Sequence, residues 1–208
     1  MSKRMTMLAL LALGAAGCTP GYRVHVNGYS ELAEPIARNA TLFVASDPNS
    51  SNPIFDRQIK ASAETLLRNY GYGIAETAES ADYFIRLVAG MTSETVTGLT
   101  PSYRPHFGVH GGHPNAFLFG YSSYTPYMDT FYDQWLTLKL FKAGPDAADA
   151  QTLVWVGEAV ISTEEADLRE TVNYLLIGCV EYLGVDTGRK VGVTIKKDDP
   201  RLLDIATP

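Results

Sequence analysis

Trp135-Leu136-Thr137-Leu138-Lys139-Leu140-Phe141 decides the fold class, because its leucines recur at every second position. Successive side chains of a strand point to opposite faces, so Leu136, Leu138 and Leu140 share the inner face of a β-strand. Leu153 to Ile161 reads as a second strand, and Gly144-Pro145-Asp146 supplies turn chemistry between the two. Consecutive strands joined by a turn pair antiparallel. Upstream, Tyr83 to Ala89 alternates again, with Ile85, Leu87 and Ala89 on one face and Phe84, Arg86 and Val88 on the other.

Further out, the period changes from two to three or four. Phe55, Ile59, Ala63, Leu66 and Tyr70 form one apolar stripe of a helix. Asn52 can cap that helix, Pro53 suits its first turn, where a missing N–H costs nothing, and Gly71 supplies a left-handed stop. Short strands are expected at Ala40 to Ala45 and Tyr72 to Ala75. Downstream, Leu168, Val172, Leu175, Cys179 and Leu183 make the stripe of a closing helix that ends at Gly184. Ser162 or Thr163 is expected to cap it, and Glu164 and Glu165 favour its positive end. Val191, Val193 and Ile195 add a final strand. Two amphipathic helices cover one face of such a sheet. The expected fold is therefore an α/β two-layer sandwich: a mixed or mostly antiparallel sheet with two helices packed on one face.

The beginning of the chain carries an address. Met1-Ser2-Lys3-Arg4 is basic, Met5 to Leu13 is apolar, and Gly14-Ala15-Ala16-Gly17 precedes Cys18 with small residues. That is the pattern of a secretory signal peptide, and its apolar run is shorter than the ~20 residues a spanning helix needs. Small residues directly before cysteine resemble the bacterial lipobox, in which Cys18 is diacylated and becomes the new N-terminus. An ordinary secretory leader ending near Cys18 is the alternative. Thr19 stands where lipoproteins retained at the inner membrane typically carry aspartate, so the expected location is the outer membrane, facing the periplasm. The domain plan expected is a signal peptide at 1–17 and a lipid-anchored linker at 18–38. A single domain follows at 39–195, with an aromatic and glycine-rich insertion at 97–130, and then a polar tail at 196–208.

Composition narrows the partners. Cleavage removes Lys3 and Arg4 from a total of 17 basic residues against 23 acidic ones, leaving 15 against 23 and a formal charge of about −8. Nucleic acids and anionic headgroups reward clustered Lys and Arg, so neither is an expected partner. The expected partners are the membrane, through acyl chains on Cys18, and an envelope protein or glycan. With Cys18 acylated, Cys179 has no thiol left to pair with. Inside an apolar helical run, it reads as a small buried hydrophobe.

Several pieces in register resemble a bacterial lipoprotein family, domain of unknown function 4136 (DUF4136). One is a helix followed by Asn69-Tyr70-Gly71-Tyr72, then Ala81-Asp82-Tyr83 leading into a strand. Another is the aromatic, glycine-rich stretch before a strand. The last is Leu153-Val154-Trp155 with Gly157 and Ala159, ahead of a closing helix. Together they cover roughly residues 40 to 184. Lys139 and Lys142 stand where the family often places acidic residues, and Val156 where a basic one is common. The family is not defined by catalytic residues, so the resemblance implies a lipoprotein module and no chemistry.

Candidate chemistry concentrates between Pro101 and Tyr127. Tyr103, Phe107, Phe117, Phe119, Tyr121, Tyr124 and Tyr127 are spaced by glycines and prolines there. Two readings stand: a long loop folded back over the sheet edge, or a surface for a protein or glycan, since aromatics give large contact area at low entropy cost. His106, His110 and His113 lie within the same stretch and can gather round zinc or copper as neutral imidazoles. The glycines and prolines around them exclude a helix, and no Asp or Glu occurs between Glu94 and Asp129 to supply a carboxylate. Elsewhere, Gly120-Tyr121-Ser122-Ser123-Tyr124 lacks the second glycine of a nucleophile elbow. Gly71-Tyr72-Gly73 precedes a strand, not the helix a dinucleotide fingerprint requires. Asp82 reads as a turn residue and Trp155 as core. No acid, base and nucleophile converge, so neither catalysis nor a cofactor is expected, and a metal-binding envelope protein using the histidines is the alternative function.

Overall fold

The computed structural model describes residues 20–46, 51–108, 117–143 and 152–206. Within them lies one seven-stranded sheet, and its strand order is β3-β2-β4-β5-β6-β1-β7. The strands are β1 (Gly21–Ser30), β2 (Thr41–Ala45), β3 (Gly73–Ile74), β4 (Tyr83–Gly108), β5 (Phe117–Lys142), β6 (Thr152–Thr163) and β7 (Val191–Lys196). Helix α1 (Pro53–Asn69) follows β2, α2 (Leu168–Glu181) follows β6, and α3 (Pro200–Ala206) comes last. The sheet is mixed. β2 runs parallel to both β3 and β4, whereas β4–β5, β5–β6, β6–β1 and β1–β7 are antiparallel.

The alternation read from the sequence carries the core. Leu136, Leu138 and Leu140 are fully buried, as are Leu42, Val44 and Ile85 across the neighbouring strands. Helix α1 begins as its sequence predicts: the Asn52 side chain accepts from the Phe55 N–H at 3.1 Å, and Pro53 opens the first turn. Ile59, Ala63, Leu66 and Leu67 are its buried face. Gly71 and Gly184, expected to end the two helices, adopt φ of +92° and +78°, the left-handed region that glycine enters without a Cβ clash. Helix α2 lies close on β1, since a Cβ on Gly178 would fall 2.9 Å from the Val24 side chain. It is buried nearly all round, from Thr171 to Val180.

Four expectations change. Residues 18–38, expected as a linker, contain β1, an interior strand between β6 and β7 with Val24 and Val26 fully buried. Its period-two alternation is short and broken by Gly21 and Gly28, which hid it. Residues 196–208, expected as a polar tail, contain α3, whose Leu202 and Ile205 enter the core. One turn of apolar spacing inside a charged segment gives no periodic signal. The cap of α2 is Asp167, whose carboxylate accepts from the Arg169 N–H at 3.0 Å, and not Ser162 or Thr163. Strand β6 continues through Thr163, which leaves Glu164 to Ala166 to connect the two elements. Finally, the described part of 97–130, expected as an insertion, is continuous with β4 and β5, which pair from Tyr83↔Lys142 out to Gly108↔Phe117.

Candidate functional site

The feature that sets this sheet apart is the length of its central hairpin. Strands β4 and β5 are 26 residues each, several times the common strand length. Their neighbours are far shorter. β2 pairs with β4 only over Tyr83–Arg86, and β6 accompanies β5 only over Tyr132–Lys142. Beyond Ser93↔Tyr132 the hairpin runs on as a two-stranded ribbon, with no further strand on either edge among the described residues. An isolated two-stranded ribbon is marginal in water, because one strand pair buries too little apolar surface to offset ordering its backbone.

Exposed apolar side chains collect on this ribbon. Leu99 is 62% exposed, Tyr124 64% and Met128 70%, and Met91, Val96, Tyr127 and Phe131 are exposed as well. Tyr124 and Tyr127, expected as parts of a binding surface, are therefore on the surface and on the ribbon. Tyr103, Phe107, Phe117, Phe119 and Tyr121 lie on its outer strands by backbone register, opposite Ser122, Leu118, Gly108, His106 and Arg104. Met91, Val96, Leu99, Met128 and Phe131 went unnoticed in the sequence, because the strands were expected to end near Ala89 and begin near Trp135. Only the register shows that Met91, Leu99 and Met128 share one face of the ribbon and Val96 and Phe131 the other.

His106 lies on β4 opposite Phe119, while His110 and His113 lie outside the described residues. Among the described residues no group of three His, Cys, Asp or Glu side chains is placed to hold a metal ion. Cys18 and the signal peptide also lie outside the described residues. Cys179 is fully buried in α2, and burial pushes its thiol well above the usual range, which suits a core residue and not a nucleophile.

Elsewhere the surface is occupied by its own chemistry. On the sheet face opposite the leucines, Phe43, Phe84 and Phe141 form a ladder with ring centroids 5.8 and 5.9 Å apart. The Arg86 guanidinium lies 5.8 Å from the Phe84 ring and 5.7 Å from Phe141, covering both. A groove of ≈ 540 Å³ lies among the helices, lined by Phe55, Ile59 and Val172 with Arg57, Gln58 and Arg169 around them. Asp82 locks β2 to β4: Oδ2 accepts from the Thr41 N–H at 2.8 Å and the Thr41 hydroxyl at 2.7 Å, and these bonds hold its carboxyl below the ordinary range. Asp167 is held lower still, at about 2, by the Arg169 guanidinium and N–H. Each of these carboxylates has a structural partner that accounts for its shift. No helix of the described residues is long and apolar enough to cross a membrane.

No family model matches the chain, and no curated protein does. Several solved structures are similar to it. A PDZ domain protein from Parabacteroides distasonis aligns at 14% identity and a TM-score of 0.47, over 92% of this chain and 43% of that one, so this chain spans less than half of that protein's length. The PelC dodecamer from Paraburkholderia phytofirmans aligns at 14% identity and 0.43, over 79% and 99%. The family that the sequence motifs resemble is represented too. A DUF4136 family protein from Bacteroides thetaiotaomicron aligns at 14% identity and 0.41, over 75% and 93%.

Proposed function

We propose that this chain is a lipid-anchored lipoprotein of the bacterial cell envelope, acylated at Cys18, with a DUF4136-like domain that works as a non-catalytic interaction module. The observation that carries the reading is the leader, in which Gly14-Ala15-Ala16-Gly17 leads directly into Cys18 after a basic start and a short apolar run. Two acyl chains hold a protein stably at a bilayer, since each buried methylene contributes about 0.8 kcal/mol. Thr19 in place of aspartate favours the outer membrane and a body facing the periplasm. The lack of a convergent acid, base and nucleophile in the sequence favours binding over catalysis. The contact surface in this reading is the β4–β5 ribbon, where exposed apolar side chains are concentrated. The domain behind it is a two-layer α/β sandwich. The approach of α2 to Val24 and the burial of α1's stripe support placing both long helices over the leucine face.

Mass spectrometry of the protein purified from membranes tests this. An N-terminal peptide that begins at Cys18 and carries diacylglyceryl and acyl mass is the expected result. A free thiol at Cys18, or cleavage at another bond, would remove the anchor and with it the reading.

A further inference from the structure

The register of the sheet shows where the anchor leaves the domain. His25 pairs with Val160, Val160 with Trp135, and Trp135 with Gly90, so these four form one row across β1, β6, β5 and β4. Four residues along each strand in the same direction, β1 has reached Gly21 while β4 and β5 have reached Glu94 and Phe131. The start of β1 is thus level with the base of the ribbon, at the same end of the sheet. Gly21 pairs with Lys196, and the carbonyl of Pro20 accepts from the Lys197 N–H at 2.9 Å, so the chain is held as far as Pro20. Two residue steps separate Cys18 from Pro20, a reach of about 7 Å. A lipid on Cys18 would hold this end of the sheet against the headgroups. From there the ribbon runs another fourteen residue steps, from Glu94 to Gly108, or about 46 Å along the strand.

The two faces of the ribbon differ in charge. Odd positions 91–101 of β4 and even positions 124–134 of β5 share one face, as the Met91↔Gln134 and Pro101↔Tyr124 pairs require. That face has no Asp, Glu, Lys, Arg or His, and it presents Met91, Leu99, Tyr124 and Met128 to the surface. The other face carries Glu94, Asp129 and Asp133 among exposed Val96, Tyr127 and Phe131, so the faces differ in charge and not in the presence of apolar side chains. We propose that the uncharged face of the ribbon is a membrane-contact surface. With the anchor holding Gly21 at the bilayer, Met91, Leu99, Tyr124 and Met128 seat in the interfacial layer while the three carboxylates face water.

The physics selects the depth. A strand edge with unpaired N–H and C=O groups is not tolerated in hydrocarbon, so a lone ribbon does not cross. At the headgroup level those groups stay hydrated, and tyrosine is at home there. Pro101 and Pro126 each remove one N–H that further strand pairing would need, which favours burial of a face over extension of the sheet.

This inference rests on the anchor proposed above, and one experiment separates the two. The lipidated full-length protein is reconstituted in vesicles of phosphatidylethanolamine and phosphatidylglycerol. Single cysteines replace Met128 or Tyr124 on the uncharged face, and Thr125 or Ser123 on the acidic one, each carrying a nitroxide label. Native Cys179 is buried and Cys18 acylated, so the introduced thiol is the one that reacts. Labels at 124 and 128 should collide with oxygen in preference to a water-soluble nickel chelate, and labels at 123 and 125 should show the reverse. Equal nickel access on both faces, in a sample whose Cys18 carries acyl mass, would overturn the membrane contact and leave the anchor standing. No acyl mass would remove both. Labels at 124 and 128 shielded from both reagents would mark a protein contact, a second copy included, and would also overturn the proposal.

Discussion

Trp155 shows how a single residue organises several others. It is 1% exposed, and its indole N–H donates to the Val185 carbonyl at 3.0 Å, so its polar atom is satisfied inside the core. The ring lies over Gly157, where an added Cβ would fall 2.1 Å from it, and close to Gly28, the cross-strand partner of Gly157. Two residues without side chains thus make the space that one large side chain fills. Trp155→Ala should cost about 3–5 kcal/mol, read as a lower denaturant midpoint at unchanged slope. An unchanged midpoint would contradict the burial. At the other side of the sheet, Asp82 accepts two hydrogen bonds from Thr41 and its carboxyl is held low, first by the backbone bond and then by the hydroxyl. A depressed carboxylate contributes its stability above its unfolded value, about pH 3.9, and loses it as pH falls through the native value. Asp82→Ala should therefore lower the melting temperature at neutral pH. The gap to wild type should close as the pH drops below the ordinary aspartate range, a trend visible in melting curves taken from pH 7 to pH 2.

At the scale of elements, the informative ones are α3 and the ribbon. Helix α3 is a single short segment, yet it is fastened by Arg201. That side chain bonds Asp199 at 2.8 Å, Glu181 at 3.0 Å and the Tyr70 hydroxyl at 3.2 Å, tying the C-terminal ends of α1 and α2 together. Leu202→Ala or Ile205→Ala should each cost about 2–3 kcal/mol in chemical denaturation, whereas a free polar tail would show almost no change. A separate expectation concerns the three histidines of the sequence between Pro101 and Tyr127. Fixing a glycine-rich segment costs about 1–2 kcal/mol of backbone entropy per residue, and no carboxylate near His106, His110 and His113 in the chain helps to offset it. Replacing all three by alanine should leave the melting temperature unchanged with and without chelator. Calorimetric titration of zinc or copper into wild type should give only weak binding; a stoichiometric submicromolar site lost in the triple variant would reverse that expectation.

For the molecule as a whole, the consequence of β1 is geometric. A twenty-residue flexible leash would let the domain roam about 25 Å from its anchor. With β1 paired on both sides to β6 and β7, that freedom is gone, and the sheet starts at Gly21, three residues after the cysteine proposed to carry the lipid. Cys18→Ser should move the protein from the membrane fraction to the soluble one without altering its melting temperature, measured by fractionation and far-ultraviolet melting of the same variant. Loss of folding on that change would show that residues before Pro20 belong to the core.

Sequence alone determined the elements whose side-chain period runs long enough to be unambiguous. These are the leucine alternation in β5, the stripes of α1 and α2, the Asn52-Pro53 helix start and the two left-handed glycine stops. Each is a local property, fixed by the pitch of a helix, the pleat of a strand or the φ range of one residue. The proposed address also rests on sequence alone, since a signal peptide is read from the order of its residues and needs no fold. Tertiary structure decided everything that depends on partners distant in the chain. Gly21–Ser30 is a strand because β6 and β7 bond it from both sides, and Pro200–Ala206 is a helix because Arg201 finds the ends of α1 and α2 and two apolar side chains enter the core. The charge difference between the ribbon's faces exists only in the pairing register. Met91 and Gln134 are forty-three residues apart in the chain and side by side in the sheet, and a shift of one residue would have put carboxylates on the face that now has none.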